Sequence, residues 1–245
     1  MLQNAIPDSH FASLSALETG YWWYLARVAW AKRLVGAWYE KQPARPHTYA
    51  DLGCGTGGFA KALSAAFRFP EVVLVDGDPN ALKRIQFPEA KVVAAELDAT
   101  LKLPSTPALV TLMDVIEHVD DDVGLVKKAA SLLSPGGMLL LSVPAHPILF
   151  SEWDVHLGHK RRYTRSALTG VVNESGLKIQ CLRPMWSFLF AAGFVRKFKA
   201  HSKEHLEFPP VAPWVNQTLL QLSDLEWRLP ALPFGTSWIL SAEKL

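Results

Sequence analysis

The chain has 245 residues, 25 Lys and Arg against 23 Asp and Glu for a formal charge of +2, and is 49% hydrophobic and 20% charged. This balance excludes a disordered, collagen-like or low-complexity chain, and so small a positive charge argues against a dedicated nucleic-acid binder. Two cysteines, Cys54 and Cys181, supply neither a disulfide framework nor a zinc site. The opening MLQNAIPDSH has neither the basic start nor the apolar run of a signal peptide, so a cytoplasmic location is expected. Nine Trp and 12 Phe make the chain rich in large aromatics.

Taken in order, residues 1–46 read as an N-terminal helical cap. Ser9 or Ser13 is placed to cap it, its inner face runs through Trp23, the stem of Arg27, Trp30, Leu34 and Ala37 or Trp38, and Pro43 and Pro46 end it. Residues 47–183 then alternate. Strands are expected at 49–52, 72–75, 91–97, 108–113, 138–143 and 177–182, and helices at 57–67, from Pro79, at 120–133 and at 164–174. Residues 184–236 break the alternation and form an insertion, and residues 237–245 hold a last strand at 238–242. Continuously apolar strands alternating with helices imply an α/β fold, a doubly wound parallel sheet covered on both faces.

Four segments carry chemistry. Asp51-Leu52-Gly53-Cys54-Gly55-Thr56-Gly57-Gly58 follows a strand and opens a helix, where glycines allow a tight turn and close approach of a ligand to the helix N-terminus. Gly53, Gly55 and Gly58 also satisfy a dinucleotide fingerprint, so an NAD(P)-dependent oxidoreductase stays open at this point, as does a non-catalytic nucleotide-binding module. Asp76, followed by Gly77, closes the second strand, where a carboxylate can take both hydroxyls of a ribose, while Asp78 before Pro79 reads as a helix cap. Asp98-Ala99 follows the third strand, with Asp98 able to accept from an adenine amine. Asp114-Val115-Ile116-Glu117-His118 follows the fourth.

Together these segments, with Leu133-Ser134-Pro135-Gly136-Gly137 before the fifth strand, resemble the class I S-adenosylmethionine-dependent methyltransferases, most of all those acting on small molecules. The resemblance implies a Rossmann-like seven-stranded sheet, mostly parallel with the last strand antiparallel, and S-adenosyl-L-methionine as cofactor. It implies that Asp51, Gly53, Gly55 and Gly57 surround the methionine part of that cofactor. Asp76 and Gly77 would take the ribose, Asp98 and Ala99 the adenine, and Asp114, Val115 and His118 the methyl-transfer end. Where many members open the fourth strand with Phe-Asp, this chain has Pro107-Ala108. The Asn/Asp-Pro-Pro-aromatic run of amine methylases of nucleic acids is absent. No Asp/Glu/Asn cluster points to a catecholate-type metal site, so no metal is expected.

Trp23 and Arg27 lie one turn apart, so Arg27 is expected to pair with the cofactor's carboxylate and Trp23 to shield the sulfonium. The segment from Trp153 through Asp154, His156, His159, Arg161, Arg162 and Tyr163 reads as an acceptor-side loop, with Trp153, Arg161, Arg162 and Tyr163 as substrate contacts to an apolar or anionic small molecule. His118, then His156 and His159, are the candidate general bases, because imidazole titrates near neutral pH. The insertion, with its apolar run at 184–195 too short to cross a bilayer, reads first as an extra core helix, then as a lid, and last as a membrane-surface contact. Of the nine Trp only Trp153 lies between Thr48 and Tyr163, so the aromatic excess belongs to the parts that enclose the crevice.

Overall fold

The structure is a computed structural model that describes Ser15 and residues 17–42, 48–197 and 211–245. The expected caps Ser9 and Ser13 and the breaks at Pro43 and Pro46 lie outside these residues. Eight helices among them are α1 (Trp22–Tyr39), α2 (Gly58–Phe67), α3 (Pro79–Leu82), α4 (Asp122–Leu132), α5 (Glu152–His156), α6 (Arg165–Asn173), α7 (Phe190–Arg196) and α8 (Pro213–Arg228). Seven strands are β1 (Thr48–Leu52), β2 (Glu71–Asp76), β3 (Lys91–Ala94), β4 (Leu109–Met113), β5 (Met138–Pro144), β6 (Lys178–Met185) and β7 (Ser237–Glu243). The sheet order is β3-β2-β1-β4-β5-β7-β6, with β7 antiparallel to both neighbours and the other pairs parallel.

The strands bury both faces, so alternate residues feed two cores. Ala50, Leu52, Val110, Leu112, Leu139 and Leu141 meet Leu125, Val126 and Ala129 of α4 and Leu168 and Val172 of α6. Tyr49, Leu74, Leu109 and Leu140 meet Trp30, Leu34 and Trp38 of α1 and Leu63 of α2. Helix α1 is itself covered by α8. Trp30 Nε1 donates to Ser223 Oγ at 3.0 Å, the Trp30 and Trp227 rings meet edge-to-face at 5.0 Å, and Arg33 pairs with Asp224. Part of the late insertion therefore closes the outside of the N-terminal cap.

Two local readings are corrected. The strand expected over 91–97 ends at Ala94, because β3 is the outermost strand and has no further neighbour to hold its exposed end. The stretch read as a loop after the fifth strand contains α5, started by a capping box in which the Ser151 and Asp154 side chains each serve the other's backbone. Asp78 does cap α3, accepting from the Asn80 amide at 2.8 Å. No helix among the described residues is long and apolar enough to cross a membrane. Strand order reverses between β1 and β4, and a crevice is expected outside the carboxyl ends of those two strands.

Candidate active site

A cavity of about 520 Å³ lies at this switch point. One end is made by the loop after β1. The Gly53 and Cys54 amides both donate to the Val75 carbonyl, which ties the loop to β2, and the Gly55 amide donates to Asp76 at 2.8 Å. Gly53 has φ of 75°, and a Cβ there would lie 2.6 Å from a Val115 methyl. Gly55 has φ of 54° and open space where its Cβ would stand. So Gly53 is required by packing and Gly55 keeps the approach to the loop clear. Asp51 is buried and accepts from the Thr111 hydroxyl, and burial pushes its carboxyl up to about 7. Glu18, just before α1, accepts from the Thr56 hydroxyl at 2.6 Å and also lines the cavity.

Arg27 crosses the middle. Its guanidinium lies 4.2 Å from the centre of the Trp23 ring and pairs with Asp114. Asp114 has φ of 58°, a left-handed conformation that a non-glycine residue adopts only when its surroundings impose it. Here the imposing contacts are its amide bond to the Ser142 carbonyl, the Ser142 hydroxyl and Arg27. One guanidinium nitrogen of Arg27, the residue expected to serve the cofactor's carboxylate, is held by Asp114. Its buried Nε has no hydrogen-bond partner among the described residues.

The other end holds Glu117, His118 and His159. Glu117 is fully buried, and neither carboxylate oxygen has a hydrogen-bond partner among the described residues. Burial, with Asp114 nearby, holds its carboxyl well above the usual range. His118 Nδ1 lies 3.2 Å from the Gly158 carbonyl, and its pKa is lowered to about 4 by burial and by His159. His159 Nδ1 bonds Asp154 at 2.8 Å. The same Asp154 oxygen accepts Arg162 Nε at 2.8 Å, and the other accepts the Ser151 amide at 3.0 Å. The Lys160 amide donates to the Glu117 carbonyl, tying the two segments together. One ligand-capable atom from each of Glu117, His118 and His159 lies within 4.8 Å of the others.

Of the residues singled out in the sequence, Trp23, Arg27, Asp51, Gly53, Gly55, Asp114, His118, Trp153, His159 and Arg162 line this cavity. Gly57 instead forms the N-cap of α2, and Val115 packs under Gly53. Asp76 supports the loop through Gly55, next to Gly77, and Asp98 and Ala99 are exposed beyond β3. Three expected contacts on the acceptor side do not reach the cavity. Tyr163 is buried on the α4 side, its hydroxyl donating to Asp122 at 2.7 Å; Arg161 pairs with Asp122 at 3.1 Å; and His156, at the end of α5, is off the wall. Their places follow from α5 and the bridge between Ala145 and Tyr163, which direct alternate residues away from the crevice. Asp154 and Glu117 stand within the segments singled out in the sequence, where neither is given a role of its own. Their available signals were the Ser-x-x-Asp capping box and the position beside His118.

Residues 22–182 match the family described as "Methyltransferase domain". The chain belongs to that family. A relative named "Probable S-adenosylmethionine-dependent methyltransferase" from Mycobacterium tuberculosis is 30% identical over 132 residues, 51% of this chain and 47% of the relative. A "Ubiquinone biosynthesis O-methyltransferase" of Xanthomonas campestris is 33% identical over 99 residues, 38% of this chain and 41% of that one. The matches to these relatives span about half of their length or less. Among solved structures, the plantazolicin methyltransferase BamL, in complex with a triazolic desmethylPZN analog and SAH, is similar with a TM-score of 0.60 at 12% identity, covering 89% of this chain and 84% of that one. A SAM-dependent methyltransferase from Archaeoglobus fulgidus has a TM-score of 0.58 at 17% identity, with 89% and 94% covered. These neighbours share the overall fold of this chain.

Proposed function

We propose that the protein is an S-adenosylmethionine-dependent methyltransferase acting on a small-molecule acceptor. The observation that carries this reading is the single cavity wall on which a left-handed glycine loop and a histidine-carboxylate cluster face each other across Arg27 and Asp114. The glycine end suits the cofactor. Gly53, Gly55 and Gly57 with Asp51 would hold its methionine part, Asp76 and Gly77 its ribose, and Asp98 and Ala99 its adenine. The buried Arg27 Nε, without a partner among the described residues, and the open space at Gly55 fit an anionic group there. When bound, the cofactor supplies a methyl group already activated as a sulfonium.

The protein's task is then alignment and exclusion of water. Trp22, Trp23, Trp153, Trp186, Leu149 and Leu189 give the cavity apolar walls, which suits an acceptor with an apolar body. The ubiquinone-related O-methyltransferases among the relatives support an acceptor oxygen. Arg162 is held by Asp154, so it reads as a brace, and an anionic acceptor loses one of its expected partners. Calorimetry with S-adenosylhomocysteine, NAD and NADP tests the cofactor. Saturable binding of S-adenosylhomocysteine alone is expected, and preference for either nicotinamide nucleotide would overturn the reading.

A further inference from the structure

We propose that Glu117, His118 and His159 form a site for a divalent transition-metal ion that takes an acceptor oxygen as a further ligand. Three independent features support it. The first is proximity: one donor atom from each residue lies within 4.8 Å of the others. Metal–ligand bonds of about 2.0–2.2 Å close such a spread with small side-chain rotations.

The second is Glu117 itself. A fully buried carboxyl with no partner for either oxygen is costly unless something on the cavity side satisfies it. The neighbouring cations do not, since Arg27 pairs with Asp114 and Arg162 with Asp154.

The third is the preparation of the imidazoles. His118 spends Nδ1 on the Gly158 carbonyl and His159 spends Nδ1 on Asp154, which leaves Nε2 of each for the cavity. A carbonyl or carboxylate on the far nitrogen is how metal-binding histidines are held in tautomer and direction. Asp154 is in turn fixed by Arg162 and by the Ser151 amide.

Two imidazoles and one carboxylate favour manganese, iron, cobalt or zinc over magnesium or calcium. Three protein ligands leave positions open toward the cavity, the arrangement of a reactive site rather than a structural one. An acceptor hydroxyl taking an open position loses its proton more readily. The O–H bond breaks, the proton passes to water, the oxygen keeps the electron pair, and nothing is oxidised. The acceptor part of the proposal rests on the methyltransferase reading; the ion site does not.

The test uses the full chain, stripped with a chelator and titrated with Co²⁺. A visible d–d band that saturates at a single equivalent and is displaced by Zn²⁺ is expected. Glu117→Gln and His159→Asn should each weaken the band's midpoint by about tenfold or more, and Asp154→Asn by roughly 10–100-fold. Catechol, as a chelating oxygen probe, should shift the band. Circular-dichroism spectra of these variants that match wild type show that they are folded. Absence of a saturable band, or a band indifferent to Glu117→Gln and His159→Asn, overturns the site. A band unmoved by catechol overturns the acceptor's part. A wild-type chain that binds Co²⁺ but not S-adenosylhomocysteine keeps the ion site and defeats the cofactor reading.

Discussion

The two ends of the cavity are built in opposite ways. At the glycine end the backbone does the work: a contiguous loop with φ of 75°, 54° and 80° at Gly53, Gly55 and Gly57, closed by amide bonds to Val75 and Asp76. At the histidine end the backbone only brings segments together. The chemistry rests on the side chains of Glu117, His118 and His159 and on Asp154 behind them. A backbone site tolerates little substitution because its shape is set by torsions and close approach. A side-chain site tolerates any change that preserves its donors. Substitutions at the two ends should therefore fail differently, the first through the fold and the cofactor, the second through metal and acceptor alone.

The largest effect is expected from Gly53→Ala. A non-glycine residue at this φ costs about 1–2 kcal/mol, and overlap with the Val115 methyl adds about 1–3 kcal/mol. Urea denaturation should show both losses, and calorimetry a loss of S-adenosylhomocysteine binding. In a Val115→Ala background the overlap should vanish while the torsional part remains. Wild-type stability in Gly53→Ala would break the contrast between the two ends.

Next in size is Arg27→Met, which leaves Asp114 partly buried without its cation. Removing one partner of a fully buried pair costs about 3–5 kcal/mol; with the Asp114 side chain 20% exposed, about 2–3 kcal/mol is expected. The double variant with Asp114→Asn should recover part of it, and a denaturant midpoint for Arg27→Met equal to wild type would show that the pair contributes nothing. Asp76→Ala should act on the cofactor. Loss of charge-assisted bonds of about 2–4 kcal/mol corresponds to roughly 30–1000-fold weaker S-adenosylhomocysteine binding. An unchanged isotherm would remove Asp76 from the ribose.

This contrast also explains what was legible in the sequence. The glycine loop, Asp76 and Asp114 were readable because each is a local pattern at a strand end, and strand ends in a doubly wound sheet point to one crevice. The sheet itself followed from unbroken apolar runs such as Met138 to Val143. The histidine end was only half readable. His118 and His159 stand on either side of β5, and nothing local says that the turn at Gly158 carries one ring to within 4.9 Å of the other. Tyr163 and Arg161 looked like acceptor contacts because they sit in a charged run, yet the Ala145 to Tyr163 bridge turns them onto the α4 side. The pairing of α8 with α1 depends on Ser223 meeting Trp30 across nearly the whole chain, which periodicity cannot report.

A pH dependence at Asp51 sharpens the same contrast because the group belongs to the glycine end. Burial is the main cause that raises its carboxyl from an ordinary 3.8 to about 7, with the Thr111 hydroxyl and Arg27 opposing and Asp76 adding to it. The folded chain therefore keeps a proton that the unfolded chain has already released across the interval from 3.8 to about 7. The stability associated with that proton is fully present below 3.8, fades as pH rises through the interval, and is gone above about 7. Asp51→Asn cannot titrate and still accepts from Thr111, so the variant should gain on wild type as the pH is raised from about 5 to about 8. Denaturant midpoints at the two pH values measure the gain. Parallel pH profiles for the two proteins would mean that Asp51 is already ionised in the folded chain, so that the glycine end carries a negative charge of its own.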